Sequence, residues 1–374
     1  MIKEKIKTNN FLGRIYLLIA SIGYYILSML IPVDKKLMLF CSFSGRKFND
    51  SPRVIYNEIS RDNSFANYKL IWVINNPNIA PSIKSVKMGS LKYYWSLFRA
   101  RYWVSNASIE RLIPLKTKKH IYINTWHGIP LKRLGIDQAH LGFIVENWYQ
   151  KVSFSVLTCC SEYDAKIFKH IFPNTANIQI VNLPRNLPLL KKDLFKEDIF
   201  KKLGIIHDRK IILYAPTFRD YSDNKLPKMV IDLLDDLSKK YVVLVRAHYF
   251  SQLSFPSNVI DVSKYSDVNE LMIISDALIT DYSSILFDYA ILTKPIFLFV
   301  YDLEKYLQYR GFYKMPLSLS LPYSLDKDSL ENLLRNMDNY NYKPIKQINS
   351  KYQQDNTSVA YIKNFIKKDD FSRN

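Results

Sequence analysis

The chain has 374 residues, 48% hydrophobic and 14% aromatic, enough for two medium-sized cores, so disorder is excluded as the default state. A formal charge of +19 calls for an acidic partner, yet the basic residues are dispersed, with no zinc-finger spacing or RNP-like motif. That sets nucleic acid aside in favour of a phosphorylated substrate or an anionic membrane surface. Cys41, Cys159 and Cys160 have neither metal-ligand nor disulfide-framework spacing and fit a reducing cytosol.

Lys3, Lys5, Lys7 and Arg14 lead into an uncharged stretch, Ile15 to Ile31, closed by Pro32. A membrane span needs about 20 apolar residues, so this stretch is borderline. Lys35 and Lys36 behind it remove any clear inside–outside charge asymmetry, and no small-residue cleavage pattern marks a signal peptide. Tyr16, Tyr24 and Tyr25 suit an interface. Residues 1–34 are therefore read as an in-plane or partly inserted membrane helix, with a buried helix of the first domain as the alternative.

From residue 35 short apolar runs alternate with amphipathic ones. Strands are predicted at Leu37–Ser42, Lys69–Ile74, Arg101–Ser105, Ile121–Asn124, Val156–Cys160 and Ile178–Asn182. Helices are predicted at Ser51–Arg61, Ser90–Ala100, Leu141–Lys151 and Ser161–Phe172. A break at Leu183–Pro188 and a charged helix, Lys191 to Leu203, precede a second series. There the predicted strands are Lys210–Tyr214, Tyr241–Val245, Val259–Val262, Ala277–Ile279 and Pro295–Val300, and the helices Pro227–Lys240, Val268–Ser275 and Ser284–Leu292. Such alternation implies an α/β fold with mostly parallel sheets. The expected domains are 35–190 and 191–325, followed by a helical tail, 326–374.

Ligands of open α/β sheets bind at the carboxyl ends of strands, which singles out the loops there. His127, in Trp126-His127-Gly128-Ile129-Pro130-Leu131-Lys132, has the side chain to take a proton from a hydroxyl near neutral pH. Gly128, Ile129, Pro130 and Leu131 form the turn behind it; the glycine lets substrate approach the backbone and the proline stiffens the loop. Arg246-Ala247-His248 places two phosphate-capable donors at a strand end. Ser283 and Ser284 stand where a helix start leaves amides unpaired, as a phosphate cradle or as ordinary caps, and Asp288 lies one turn deeper. Thr217 and Arg219 sit on a loop stiffened by Pro216, where Arg219 and Asp220 also read as a local surface ion pair. Arg185 and Asn186 lie at the domain junction. There is no G-x-G-x-x-G, no Walker A and no metal-ligand cluster, and Asp326-Lys327-Asp328 reads as a helix start, so neither metal nor cofactor is expected.

Taken in order, these segments resemble the CDP-glycerol glycerophosphotransferase family of teichoic-acid primases and polymerases. The resemblance is carried by Trp126–Lys132, Pro184-Arg185-Asn186, Tyr214–Asp220 and Arg246-Ala247-His248. It continues through Leu278–Ser284 with Phe287-Asp288-Tyr289, and Lys294 to Tyr313. It implies a GT-B architecture of two Rossmann-like domains facing a cleft. It also implies transfer of a polyol phosphate, glycerol phosphate first, from a CDP-linked donor to a hydroxyl of a lipid-linked cell-wall or capsule glycan, with CMP released. In that scheme His127 is the base, and Arg246 and His248 neutralise the pyrophosphate cradled by Ser283 and Ser284. Pro216, Thr217 and Asp288 line the nucleotide pocket, with Ala247 beside it, and Arg185 touches the donor. Leu187 and Ile129 replace the acidic residue and the threonine common in the family. The place of action expected is the cytoplasmic face of the plasma membrane, as a peripheral or monotopic protein. The competing readings are a GT-B glycosyltransferase and a non-catalytic membrane-bound assembly subunit.

Overall fold

Runs of valine, isoleucine, leucine and aromatic residues can be buried on both faces only inside a parallel sheet with helices on either side. The computed structural model describes residues 9–115, 118–139, 141–190, 196–206, 208–219, 226–247, 255–353 and 355–372, and it contains two such sheets. The strands of the first are β1 (Asp34–Cys41), β2 (Lys69–Ile74), β3 (Ser85–Lys87), β4 (Ala100–Ser105), β5 (Ile121–Asn124), β6 (Val156–Cys159) and β7 (Ile178–Ile180). Their order is β3-β2-β1-β4-β5-β6-β7, every neighbouring pair parallel. The second sheet holds β8 (Ile211–Ala215), β9 (Val242–Val245), β10 (Ile260–Asp261), β11 (Ala277–Thr280), β12 (Ile296–Phe299) and β13 (Tyr323–Ser324). Its order is β10-β9-β8-β11-β12-β13, again all parallel. Each sheet therefore has the doubly wound order 3-2-1-4-5-6, with one strand more in the first. The direction of winding reverses between β1 and β4 and between β8 and β11, and the carboxyl ends there are where such sheets take ligands.

One compact unit comprises the chain up to His127, then Leu134–Leu187 and the C-terminal stretch after Gln353; the other comprises Gly128–Arg133 and Pro188–Gln353. Three expectations about boundaries are corrected here. The main crossing lies after Leu187 instead of after residue 190, and Gly128–Arg133 belongs to the second unit. The stretch from residue 326 is no separate tail. Helices Lys327–Arg335 and Lys343–Tyr352 join the second unit, whereas helix Ser358–Phe371 returns to the first. There Ile362 and Ile366 are buried against Met38, Phe40, Tyr102 and Val104, and Asp369 receives Arg101 Nε at 2.9 Å and Nη2 at 2.5 Å. Amphipathic spacing shows that a helix has a face to bury; it carries no address for the sheet that will bury it. The short edge strands β3 and β13 were not anticipated, since two or three residues make no apolar run, and neither was the helix Leu303–Tyr309.

The N-terminal helix spans Asn10–Leu30 and starts earlier than the uncharged stretch, because the Asn9 side chain accepts from Phe11 N and Leu12 N at 3.0 and 3.1 Å. Gly13, Leu17, Tyr24 and Ser28 form its buried face. Tyr24 meets Tyr94 and Phe98 edge-on and donates to the Glu110 carbonyl at 3.3 Å, while Lys119 Nζ donates to the Ser28 carbonyl at 2.7 Å. The opposite face, with Leu18, Ile19, Ile22 and Met29, is exposed. The helix thus docks on the first unit along one side and keeps an apolar side uncovered.

His120 carries a pH-dependent part of the stability. It is 6% exposed, stacks on Trp103 at 4.4 Å, and its Nδ1 donates to the Ala100 carbonyl at 2.7 Å. Burial pushes the imidazole down to about 4. As the pH falls from about 6.5 towards 4 the unfolded chain takes up a proton that the folded chain refuses, so stability drops. The full loss below pH 4 is on the order of 3 kcal/mol. Urea unfolding between pH 7 and pH 4 should show a steeper loss in the wild-type protein than in His120→Asn; equal slopes would refute this.

Candidate active site

β5 delivers the loop that carries His127. The Asn124 side chain accepts from Trp126 N at 2.9 Å and donates to the Ala107 carbonyl at 3.1 Å, tying this loop to the one after β4. Trp126 then takes φ +50° and Gly128 φ +139°, so His127 sits on a sharp turn between two residues of positive φ. The Trp126 ring is buried against Phe168 and Phe172 and stacks on the imidazole at 4.5 Å. Phe43, from the loop after β1, meets the imidazole edge-on at 5.7 Å.

The tautomer follows from one contact. His127 Nδ1 lies 2.8 Å from the Asn106 carbonyl, which can only accept, so Nδ1 carries the hydrogen and Nε2 keeps its lone pair. Burial holds the imidazole below the usual histidine range. The Asn106 carbonyl and Asp50 oppose that shift, whereas Arg185 and Arg46 add to it. The ring is therefore neutral at pH 7, with a basic nitrogen ready to accept a proton.

Arg185, expected to touch a donor, is engaged on His127. Its Nη1 donates to the His127 carbonyl at 2.9 Å and to Asp50 Oδ2 at 3.2 Å, and its backbone N–H donates to Ser51 Oγ at 3.2 Å. Phe43, Ser44, Asp50, Trp126 and Asn182 all have positive φ and all follow strands of the first sheet. Strained backbone of this kind costs roughly 1–3 kcal/mol per residue and gathers at functional sites. Asn106, Asp50, Phe43 and Arg46 were not picked out from the sequence. The loops after β1 and β4, at the reversal of the first sheet, were the signal that would have found them.

In the second unit Thr280 pairs with Ala215, so Pro216-Thr217 and Asp281–Ser284 come together at the second reversal. Thr280 Oγ1 donates to the Ala215 carbonyl at 2.7 Å, and Thr217 N–H donates to both Asp281 oxygens at 2.9 and 3.0 Å. Arg219 is 8% exposed and lies between Asp281, at 2.6 Å, and Asp302, at 2.8 and 2.9 Å. Its guanidinium sits 5.2–5.5 Å from the ring centres of Tyr282, Tyr301 and Tyr306. The surface ion pair read from Arg219 and Asp220 is thereby corrected for Arg219, which makes a buried ion cluster; Asp220 lies outside the described residues. Removing one member of such a cluster leaves buried charge uncompensated. Arg219→Met should cost about 3–5 kcal/mol in urea unfolding, and a loss under about 1 kcal/mol would mean that water reaches the two carboxylates.

Other expected residues fall as follows. Ser283 and Ser284 are partly exposed before the helix Ile285–Ala290, and Ser283 Oγ accepts from Ile285 N at 3.4 Å. Asp288 is buried within that helix. Arg246 Nη1 donates to the Val262 and Tyr265 carbonyls at 3.2 and 2.8 Å, and Ala247 N–H donates to Ser263 Oγ at 2.9 Å. His248 lies outside the described residues. Ile129 and Leu131 are each 2% exposed, and the Leu131 carbonyl accepts from Tyr313 N at 2.8 Å and Lys314 N at 3.2 Å. Their side chains are packed inward. Asp326 caps the helix Lys327–Arg335 by accepting from Ser329 N at 2.8 Å, the helix start read from the sequence.

Residues 23–368 match the sequence model of the CDP-glycerol:poly(glycerophosphate) glycerophosphotransferase family. A teichoic acid poly(glycerol phosphate) polymerase of Staphylococcus epidermidis is 35% identical over 90% of this chain, which spans about half (51%) of the relative's length. One of Bacillus spizizenii is 35% identical over 83% of this chain and 85% of its own. The structure of the wall teichoic acid polymerase TagF superimposes with a TM-score of 0.82 at 31% identity, covering 100% of this chain and 99% of that one.

Proposed function

Because the chain belongs to the CDP-glycerol:poly(glycerophosphate) glycerophosphotransferase family, we propose that it moves glycerol phosphate from CDP-glycerol to a hydroxyl of a lipid-linked cell-wall or capsule glycan, releasing CMP. The observation that carries this reading is the fixed tautomer of His127, whose Nε2 lone pair is available at the carboxyl end of a parallel sheet. The related TagF polymerase, solved after a soak in CDPG, supports the choice of donor.

In this mechanism the acceptor oxygen attacks the phosphorus that bears glycerol, and its proton passes to His127 Nε2. The bond from that phosphorus to the bridging oxygen breaks, and its electron pair leaves with CMP. Negative charge spreads over the phosphoryl oxygens, so catalysis rests on positioning and on positive groups and amides. The loops after β8, β9 and β11 are where the donor belongs in this reading, with Pro216, Thr217, Arg246, Ser283 and Ser284 nearest the nucleotide and pyrophosphate. The two doubly wound units are then the halves of a GT-B enzyme. The uncovered face of the N-terminal helix and the charge of +19 would hold it to an anionic membrane surface on the cytoplasmic side, within reach of lipid-linked acceptor.

The test is CMP release from CDP-glycerol, and separately from CDP-ribitol, with bacterial membranes supplying acceptor. Release that depends on acceptor supports the proposal and identifies the alcohol. No release from either donor, with turnover of a nucleotide sugar instead, would overturn it.

A further inference from the structure

We propose that Asp50 is a positioning residue of this site: through Arg185 it fixes the peptide plane between His127 and Gly128, and it supplies the negative charge that accompanies the imidazole. The inference rests on His127 being the base in the reading above. Three observations support it. Asp50 opens the helix Asp50–Ser60 with φ +62°, a conformation that costs an ordinary residue free energy and is kept where something requires it. Its carboxylate is used on both sides, Oδ1 accepting from Ser51 N at 2.7 Å and Oδ2 from Arg185 Nη1 at 3.2 Å, with the side chain only 7% exposed. The same Nη1 holds the His127 carbonyl at 2.9 Å, in the turn where Trp126 and Gly128 both have positive φ and the peptide would otherwise be poorly determined.

Among the charged groups that act on the imidazole, Asp50 favours its protonation whereas Arg185 and Arg46 oppose it, and the Asn106 carbonyl and the rings of Phe43 and Trp126 lie against it. Asp50 alone among the three favours the protonated ring. Without it, the imidazole loses its proton at lower pH. The neutral ring is the active form, so the acid limb of the kcat/KM profile moves down.

Asp50→Asn and Asp50→Gly separate this role from a structural one. Both residues tolerate positive φ, and asparagine can keep the bond to Ser51 N. Each variant should lose about tenfold or more in kcat for CMP release, with KM for CDP-glycerol within about twofold and the acid limb displaced to lower pH. A structural role predicts instead that glycine, free of backbone strain, works as well as aspartate. Titration of His127 by NMR in wild-type and Asp50→Asn protein reads the same counter-charge without turnover. If the wild-type protein released no CMP, the functional reading would fall while the titration still decided the role of Asp50. An unchanged His127 midpoint together with an unchanged acid limb overturns the proposal.

Discussion

His127→Ala should lower kcat for CMP release by about a thousandfold, the middle of the range for loss of a general base, while the far-UV circular dichroism stays unchanged. The fold is expected to survive because the imidazole stands at the edge of the aromatic cluster. Trp126 keeps Tyr149, Phe168 and Phe172 when the ring is gone. His127→Gln is the sharper test. Its amide fills much of the space of the ring and stays polar, yet it offers no basic nitrogen. Equal losses in the two variants, with KM for the donor within about twofold, assign the effect to proton transfer. The wild-type kcat/KM should rise with pH through a midpoint below the usual histidine value, because burial disfavours the charged ring, and should be level by pH 7. A glutamine variant within tenfold of wild type would remove His127 from the chemistry.

The strands were legible because parallel strands buried on both faces read as unbroken apolar runs. Lys69–Ile74 and Ile121–Asn124 fall where the sequence placed them. His127 was legible for a related reason, as a histidine beside glycine directly after such a run. Its supports were not. Asn106 lies 21 residues upstream, and Asp50 is joined to Arg185 across 135 positions, so nothing local betrays either contact. Arg219 shows how proximity in sequence misleads. The adjacent Asp220 suggested a surface pair, whereas the carboxylates that hold the guanidinium are 62 and 83 positions away. The motifs around Arg219 mark where loops of the second sheet begin; only the pairing of Thr280 with Ala215 brings those loops together.

Replacing Leu18, Ile19, Ile22 and Ile26 with glutamine should release the protein from vesicles of anionic lipid. These side chains are 48–66% exposed along one side of a helix of 21 residues, about 31 Å long. By length and composition that helix could span a bilayer. Its other side argues for lying in the interface, since Leu17 and Tyr24 are buried and Lys119 and Glu110 bond to it, contacts that a spanning helix would have to give up. Four apolar side chains at about 1.5 kcal/mol each amount to about 6 kcal/mol, or roughly a 10⁴-fold drop in partitioning. Substitution is preferable to deletion, because removing the helix would uncover Tyr94, Phe98 and Glu110 and confound release with unfolding. Sedimentation with vesicles at low and high salt separates the two sources of attraction. Attachment by the apolar face survives high salt in the wild-type protein and is lost in the variant. Attachment by basic surface alone would be screened by salt in both proteins and would leave the substitutions without effect.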